Sequence, residues 1–177
     1  MTVSTTVWAV RTAWCPLALA GLLVATGTAI APARETLPEA IAAPGAAIIL
    51  TAHAVGAQIY ECMADADGKP AWRFREPIAT LLIDGRTVGR HFAGPGWELA
   101  DGSRIVGKVV AQTAGATADD IAWLKLAGSD GRGQFANVNV IQRVNTRGGA
   151  LAGACDKAGE LKAVPYAGDY IFSAKGD

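Results

Sequence analysis

Residues 78–106 read IATLLIDGRTVGRHFAGPGWELADGSRIV and contain two Asp-Gly pairs, each lying between short apolar runs. An Asp-Gly pair in this context predicts a two-residue type I′ turn, because both central residues of that turn need a positive φ. Between the two pairs, Gly94-Pro95-Gly96 predicts a turn at the opposite end of the strands. The stretch therefore predicts consecutive short antiparallel strands joined by tight turns.

The same turn signal recurs on both sides of this stretch. Asp67-Gly68, Asp84-Gly85 and Asp101-Gly102 follow one another at a constant spacing of seventeen residues. A fourth pair, Asp130-Gly131, predicts a further hairpin turn. The constant spacing of the first three pairs is typical of a meander, in which each strand pairs with the next one along the chain.

Two further apolar segments, near residues 48–61 and 164–173, add strands before and after the meander. Residues 114–122, which are rich in Ala and Thr, resemble a short helix. About nine short strands bury their apolar faces best in one all-β domain. We therefore predict a single antiparallel β-sandwich or a partly closed β-barrel over residues 48–177.

The first 33 residues have the organisation of a signal peptide. Arg11 is their only charged residue, an apolar run covers residues 17–24, and small residues continue to Ala33. Ala31-Pro32-Ala33 fits the small-x-small cleavage rule, and we expect an exported protein, periplasmic or extracellular. The alternative is an uncleaved anchor, because residues 12–33 are long enough to span a membrane as a helix.

A segment rich in Pro and Ala, residues 34–47, follows the predicted signal peptide. We expect it to be a flexible tether with at most one helical turn. The whole chain of 177 residues has a formal net charge of zero, and its basic residues are scattered. This charge gives no reason to expect nucleic acid as a partner. We expect a monomer with no stable membrane insertion once the leader has been removed.

Two cysteines, Cys62 and Cys155, remain once the leader is removed. In an oxidising compartment an even pair predicts a disulfide. The bond would close a loop of about 90 residues, worth roughly 4 kcal/mol when the cost is taken as chain entropy. The alternative is two separate buried thiols.

Several ordered motifs between residues 45 and 173 are similar to one protein family. They are Gly56–Cys62, Trp72-x-Phe74, Val88–Glu98, Ile121–Leu124, Val140–Gly149, Cys155 and Val164–Tyr166. In these motifs the chain resembles the secreted bacterial and fungal proteins of domain of unknown function family 3455. The resemblance implies export and a single domain, and it implies no activity. The chain departs from the family at residues 148–152, where a proline often precedes the second cysteine.

Catalytic chemistry has few candidates in this sequence. His53 and His91 are the only histidines, and neither Cys-x-x-Cys nor His-x-His occurs, so we predict no metal site and no cofactor. His91 could gather with Glu98 and Asp101 at a hairpin rim, as a metal site or as the acid and base of a hydrolase. Asp101 is already explained by its turn, and His91 fits a strand position opposite Ile78. We therefore favour a domain that is not an enzyme.

Ligand binding is better supported by the sequence. Asn137, Asn139, Gln142 and Arg143 form a polar stripe, and Trp97 follows Gly94-Pro95-Gly96 at a predicted loop rim. Amides and guanidinium groups make multidentate hydrogen bonds, and aromatic rings stack on flat ligands. We predict that these five residues bind an unknown small molecule or a glycan, with a glycan or cell-envelope polymer as the first choice.

Two alternatives to this predicted site stay open. In the first, the polar stripe is a solvated sheet face and Trp97 is a core residue opposite Val106. In the second, the many Ala and Gly residues leave the interior of a barrel unfilled, so that an apolar cavity carries a lipid or a pigment.

Overall fold

The computed structural model describes residues 37–175, so the predicted signal peptide lies outside the described residues. Eight antiparallel strands form one sheet, and because β8 also pairs with β1, the sheet closes into a barrel. This confirms the all-β antiparallel prediction, with eight strands in place of about nine. The elements are a 3-10 turn at Glu39–Ile41, β1 (Ala47–Ala64), β2 (Pro70–Ile83), β3 (Arg86–Phe92), β4 (Gly96–Leu99), β5 (Arg104–Thr113), β6 (Trp123–Arg132), a 3-10 turn at Gly133–Phe135, β7 (Val140–Gly148) and β8 (Leu161–Ala174).

Three of the four Asp-Gly pairs lie at chain reversals as predicted, but only Asp84-Gly85 has the positive φ at both residues that a type I′ turn requires. Asp84 and Gly85 join β2 to β3 with φ values of 50° and 73°, the positive values that a type I′ turn requires. Asp67-Gly68 lies between β1 and β2, and Asp101-Gly102 lies between β4 and β5. In the latter turn the Asp101 carboxylate accepts a hydrogen bond from the Ser103 N–H at 2.9 Å. Local turn chemistry therefore determines these three reversals.

The fourth pair, Asp130-Gly131, does not form the predicted hairpin turn. Both residues lie inside β6, where Asp130 has a φ of 54°, and the chain reverses two residues later at Gly133–Phe135. Phe135 is fully buried in this turn. Burying a Phe side chain is worth about 1.5–3 kcal/mol, which outweighs a local turn preference. The strand that follows begins at Val140, so Asn137 and Asn139 precede it.

The short helix predicted over residues 114–122 does not form, and this prediction was wrong. The segment is the loop between β5 and β6. The Asp120 carboxylate accepts hydrogen bonds from the Thr117 N–H at 3.0 Å and from the Thr117 hydroxyl at 2.8 Å, which closes a turn in place of a helix. Within residues 37–175 no helix is long and apolar enough to cross a membrane.

The interior of the barrel combines small side chains on β1 and β2 with aromatic side chains on β4 and β8. Ala52, Ala54 and Ala79 are almost completely buried in the same core cluster as Trp97 and Phe172. Alternating small and large residues is how a barrel of eight strands fills its interior. The small residues therefore make room for the large rings.

The segment predicted as a flexible tether is packed against the barrel in its described part. Ile41 is fully buried, its carbonyl accepts a hydrogen bond from Gln142 Nε2 at 2.6 Å, and Lys125 Nζ donates to the Ala42 carbonyl at 2.9 Å. Lys125 and Gln142 are cross-strand partners. They alternate with inward residues such as Leu126 and Ile141, so they point outward. Ile41 therefore covers the outer face of β6 and β7.

A disulfide joins Cys62 on β1 to Cys155 in the loop between β7 and β8, with the two Cα atoms 5.9 Å apart. This confirms the predicted pairing. Backbone hydrogen bonds hold the same loop to β1 and β2: the Cys62 N–H donates to the Glu160 carbonyl, and the Trp72 N–H donates to the Gly153 carbonyl. The disulfide and these bonds fix the β7–β8 loop against the barrel.

Candidate ligand cavity

One end of the barrel contains a cavity of about 730 Å³. The loops that border it include residues 93–95 between β3 and β4, residues 118–122 between β5 and β6, and residues 150–152 between β7 and β8. The β2–β3, β4–β5 and β6–β7 turns lie at the other end, where Phe135 fills the interior beside Phe172, with the ring centroids 4.7 Å apart. A cavity that is open at one end and closed at the other fits a small molecule, since such sites span about 300–1,000 Å³.

The wall of the cavity is mostly apolar and aromatic. This is the usual lining of sites for small organic molecules, in which a few polar groups fix the orientation. The apolar and aromatic side chains of the wall include Tyr60, Phe74, Pro77, Pro95, Trp97, Val109, Leu124, Leu126, Leu151 and Tyr170.

Three stacked or tilted rings form the inner part of the wall. His91 stacks on Trp97 with the ring centroids 4.7 Å apart and the planes 9° from parallel. Tyr170 is tilted against both rings, 4.9 Å from His91 and 5.3 Å from Trp97. Aromatic rings in such contact stabilise each other beyond the area that they bury. The cluster is therefore a rigid, buried backing of the cavity wall.

Three buried polar atoms in the wall have no hydrogen-bond partner among residues 37–175: Gln58 Nε2, Trp97 Nε1 and the Tyr170 hydroxyl. Each belongs to a side chain that is no more than 2 % exposed. Burial raises the pKa of Tyr170, and the nearby Arg143 and Tyr166 side chains oppose this rise, but neither forms a well-oriented hydrogen bond with its hydroxyl. Leaving a buried polar group unpaired costs about 1–3 kcal/mol, so such groups call for an explanation.

Arg143 on β7 brings a positive charge to the cavity. Its Nε and Nη2 atoms both donate to the Ala122 carbonyl, at 3.1 and 2.8 Å. None of the ion pairs formed within the described part of the chain includes Arg143. Burial raises the pKa values of Tyr60 and Tyr170 and lowers that of His91; the charge of Arg143 opposes the two rises and adds to the fall. Arg143 is therefore a half-buried cation without a counter-ion in residues 37–175.

His91 is uncharged at neutral pH. Burial lowers the pKa of its imidazole to about 4, and the nearby positive charge of Arg143 acts in the same direction. Nδ1 lies 2.9 Å from the Gly96 carbonyl, which can only accept a hydrogen bond, so Nδ1 carries the proton. Nε2 is therefore the nitrogen that can accept a hydrogen bond.

This burial predicts a loss of stability in mild acid. An unfolded His has a pKa of about 6.5, so below that pH the unfolded chain binds a proton that the folded chain binds only near pH 4. The stabilisation that comes from keeping His91 neutral is complete above pH 6.5. About 3 kcal/mol of the free energy of unfolding is lost as the pH falls to about 4.

Urea unfolding at several pH values measures this loss of stability. His91→Gln should be less sensitive to pH than the wild type by that amount, whereas His53→Gln should keep the decrease. Equal sensitivity in His91→Gln and the wild type would contradict the assignment.

The residues predicted to bind a ligand fall into two groups. Trp97 and Arg143 both line the cavity, so the structure brings these two together. Gln142 points outward and is covered by Ile41. Asn137 and Asn139 are exposed and do not line the cavity, and the Asn139 side chain accepts a hydrogen bond from the Lys175 N–H. The stripe does not form one surface, because neighbouring strand residues such as Gln142 and Arg143 face opposite sides of the sheet.

The three weak catalytic candidates lie at three different places. His91 faces the interior beside its cross-strand partner Trp97. Glu98 is next in sequence and lies on the other side of the sheet, within 4 Å of Arg90 and Arg104. The Asp101 carboxylate is held in its turn by Ser103 and by Gln134, whose Nε2 donates at 2.7 Å. Within residues 37–175 no group of three or more His, Cys, Asp or Glu side chains could hold a metal ion.

Gln58 and Tyr170 were not predicted as site residues, although both line the cavity. Gln58 could have been recognised from the alternation of side chains along β1. The buried residues of this strand include Ala52, Ala54, Gln58 and Tyr60, which all occupy even-numbered positions and so share one face. A glutamine on the inward face of an otherwise apolar strand indicates a polar group inside the barrel. Tyr170 could not be told from an ordinary core residue.

Comparison with known protein families identifies the family of this chain. No curated protein and no solved structure matches it. The family described as "Protein of unknown function (DUF3455)" matches residues 43–174. The matched region covers all eight strands of the barrel and most of the chain. The chain therefore belongs to the DUF3455 family.

Proposed function

We propose that this domain binds a small organic molecule inside its barrel and does no chemistry on it. The observation that carries the proposal is the cavity of about 730 Å³, whose wall contains Gln58 Nε2, Trp97 Nε1 and the Tyr170 hydroxyl without partners in the described chain. A bound molecule with oxygen or nitrogen acceptors would satisfy these enclosed atoms after a small movement of the wall and recover the cost of burying them unpaired.

The shape of the cavity favours a compact ligand with a flat apolar part. Phe74 offers an exposed ring and Val109 an aliphatic surface, while Trp97 and Tyr170 form the buried back of the wall. A glycan or a cell-envelope polymer has less support, since Trp97 is fully buried and Asn137 and Asn139 lie outside the cavity. A polymer would also need an open groove, whereas Phe135 fills the far end of the barrel.

We further propose that the protein is exported. The disulfide between Cys62 and Cys155 supports this, because such bonds persist in oxidising compartments. The signal peptide predicted over residues 1–33 agrees with the same compartment. A binding domain outside the cytoplasm would hold its ligand where no cytoplasmic enzyme processes it.

Two adjacent valines on β5 allow a matched test of binding in the cavity. Val109 lines the cavity, whereas Val110 is next in sequence, equally apolar and does not line it. N-phenylnaphthylamine, a neutral apolar dye that fluoresces when bound out of water, serves as the probe. Val109→Trp should raise the Kd of the probe roughly tenfold or more, because an indole would occupy part of the cavity. Val110→Trp should change it by less than about twofold.

The comparison between the two variants decides the outcome. Both variants add one indole to the same strand. Nonspecific binding of the dye to added hydrophobic area would therefore appear in both variants. Circular dichroism checks that both variants fold. Equal probe affinity in Val109→Trp, Val110→Trp and the wild type would show that the dye binds elsewhere, and the cavity would then not be a binding site for molecules of this class.

A further inference from the structure

We infer that the ligand is an organic acid whose carboxylate binds Arg143. This inference rests on the proposed function and names the chemical class of the molecule in the cavity. Arg143 lines the cavity, is half-buried and takes part in no ion pair within residues 37–175. A buried cation is costly unless it is paired, and an anionic ligand supplies the missing partner.

The guanidinium group is held in place and still has free donors. Its Nε and Nη2 atoms donate to the Ala122 carbonyl at 3.1 and 2.8 Å, which fixes the plane of the group. A guanidinium carries five N–H donors. One hydrogen of Nη1 and the second hydrogen of Nη2 point along the end of the group, and an edge of this kind is what a carboxylate binds with both oxygens.

The other charged groups of the cavity do not compete for this role. Arg75 lines the cavity as well, but its guanidinium lies within 4 Å of the carboxylates of Glu61 and Glu76. Asp119 and Asp120 are the carboxylates in the lining, and Asp119 is exposed, so water and salt screen its charge. Asp120 is already engaged, since it accepts hydrogen bonds from the Gly148 N–H and from Thr117. Arg143 is therefore the cation available to a bound anion.

The neighbouring unpaired groups fit an acid better than a base. Trp97 Nε1 can only donate a hydrogen bond, the Tyr170 hydroxyl keeps its proton because burial raises its pKa, and Gln58 Nε2 is a donor. Hydrogen-bond donors around a guanidinium stabilise negative charge on a ligand and destabilise positive charge. A cationic ligand would face Arg143 directly.

The first test compares an acid with its own amide on the wild-type protein. Naphthaleneacetic acid and naphthaleneacetamide have the same ring and nearly the same shape, and only the acid is charged at neutral pH. Each is titrated against bound N-phenylnaphthylamine. The acid should displace the probe at a concentration about 10-fold to 100-fold lower than the amide, because hydrogen bonds to charged groups are stronger than neutral ones.

The second test uses two arginines that line the same cavity. Arg143→Met should remove the preference for the acid, so that the acid and the amide displace the probe at about equal concentrations. Arg75→Met, the matched control, should keep the preference, and Arg143→Lys should restore part of it. Equal displacement by the acid and the amide in the wild type, or displacement by neither, would overturn this inference while binding in the cavity stands. If Val109→Trp did not raise the Kd of N-phenylnaphthylamine, the proposed function itself would be overturned.

Discussion

Replacing Cys62 and Cys155 together with alanine should lower the free energy of unfolding by about 4–5 kcal/mol. The two cysteines are 93 residues apart in sequence, and a cross-link that closes a loop of that length removes conformational entropy from the unfolded chain. A domain of this size has a total stability of about 5–15 kcal/mol, so the loss is a large part of it. The melting temperature should fall by roughly 15 °C. Urea unfolding of the oxidised wild type and the double variant measures the difference.

Two controls separate the cross-link from the packing of the sulfur atoms. Reduced wild-type protein should unfold close to the double variant, since both lack the bond. Cys62 is buried, and alanine was chosen there because a serine would bury an additional hydroxyl group. If the oxidised wild type and the double variant unfold at the same urea concentration, the disulfide does not stabilise the fold.

Trp97→Ala should be the most damaging single substitution in the wall of the cavity, at about 3–5 kcal/mol. The side chain is fully buried, stacks on His91 and meets the edges of Tyr170 and Phe172. Removing the indole leaves a void, because the surrounding strands are held in a closed ring and can collapse only partly. Chemical denaturation with a fluorescence-independent readout, such as circular dichroism, measures the loss.

Trp72→Ala is the matched control for this prediction. Trp72 is half-buried on β2 and contacts the ammonium group of Lys162, 5.7 Å from the ring centroid. Its loss should cost clearly less than the loss of Trp97, because less apolar area returns to water. If Trp97→Ala were as mild as Trp72→Ala, Trp97 would not belong to the core of the barrel.

The reversals of the chain could be predicted wherever local chemistry decides them. Asp84 and Gly85 need positive φ values and nothing distant to form their turn. Asp130 also has a positive φ, but it lies within β6, because the burial of Phe135 places the reversal two residues later. An Asp-Gly pair therefore indicates a reversal in its neighbourhood, and the position of the hairpin also depends on which later side chain is buried.

The candidate site could be predicted only in part, for the same reason. Arg143 and Gln142 were both recognised as polar residues able to bind a ligand, but their directions depend on the phase of β7, which starts at Val140. Trp97 is enclosed by Tyr170 and Phe172 from β8, a strand more than 60 residues later. Contacts over such distances leave no periodic signal in the neighbourhood of either residue.

Native mass spectrometry of the protein purified from its own producing cells tests the central claim most directly. We predict one bound organic molecule per chain, which is released when the protein is unfolded and is present in Val110→Trp but absent from Val109→Trp. A bare protein mass, both as purified and after incubation with a small-molecule extract of the same cells, would contradict the claim that the barrel is a binding site.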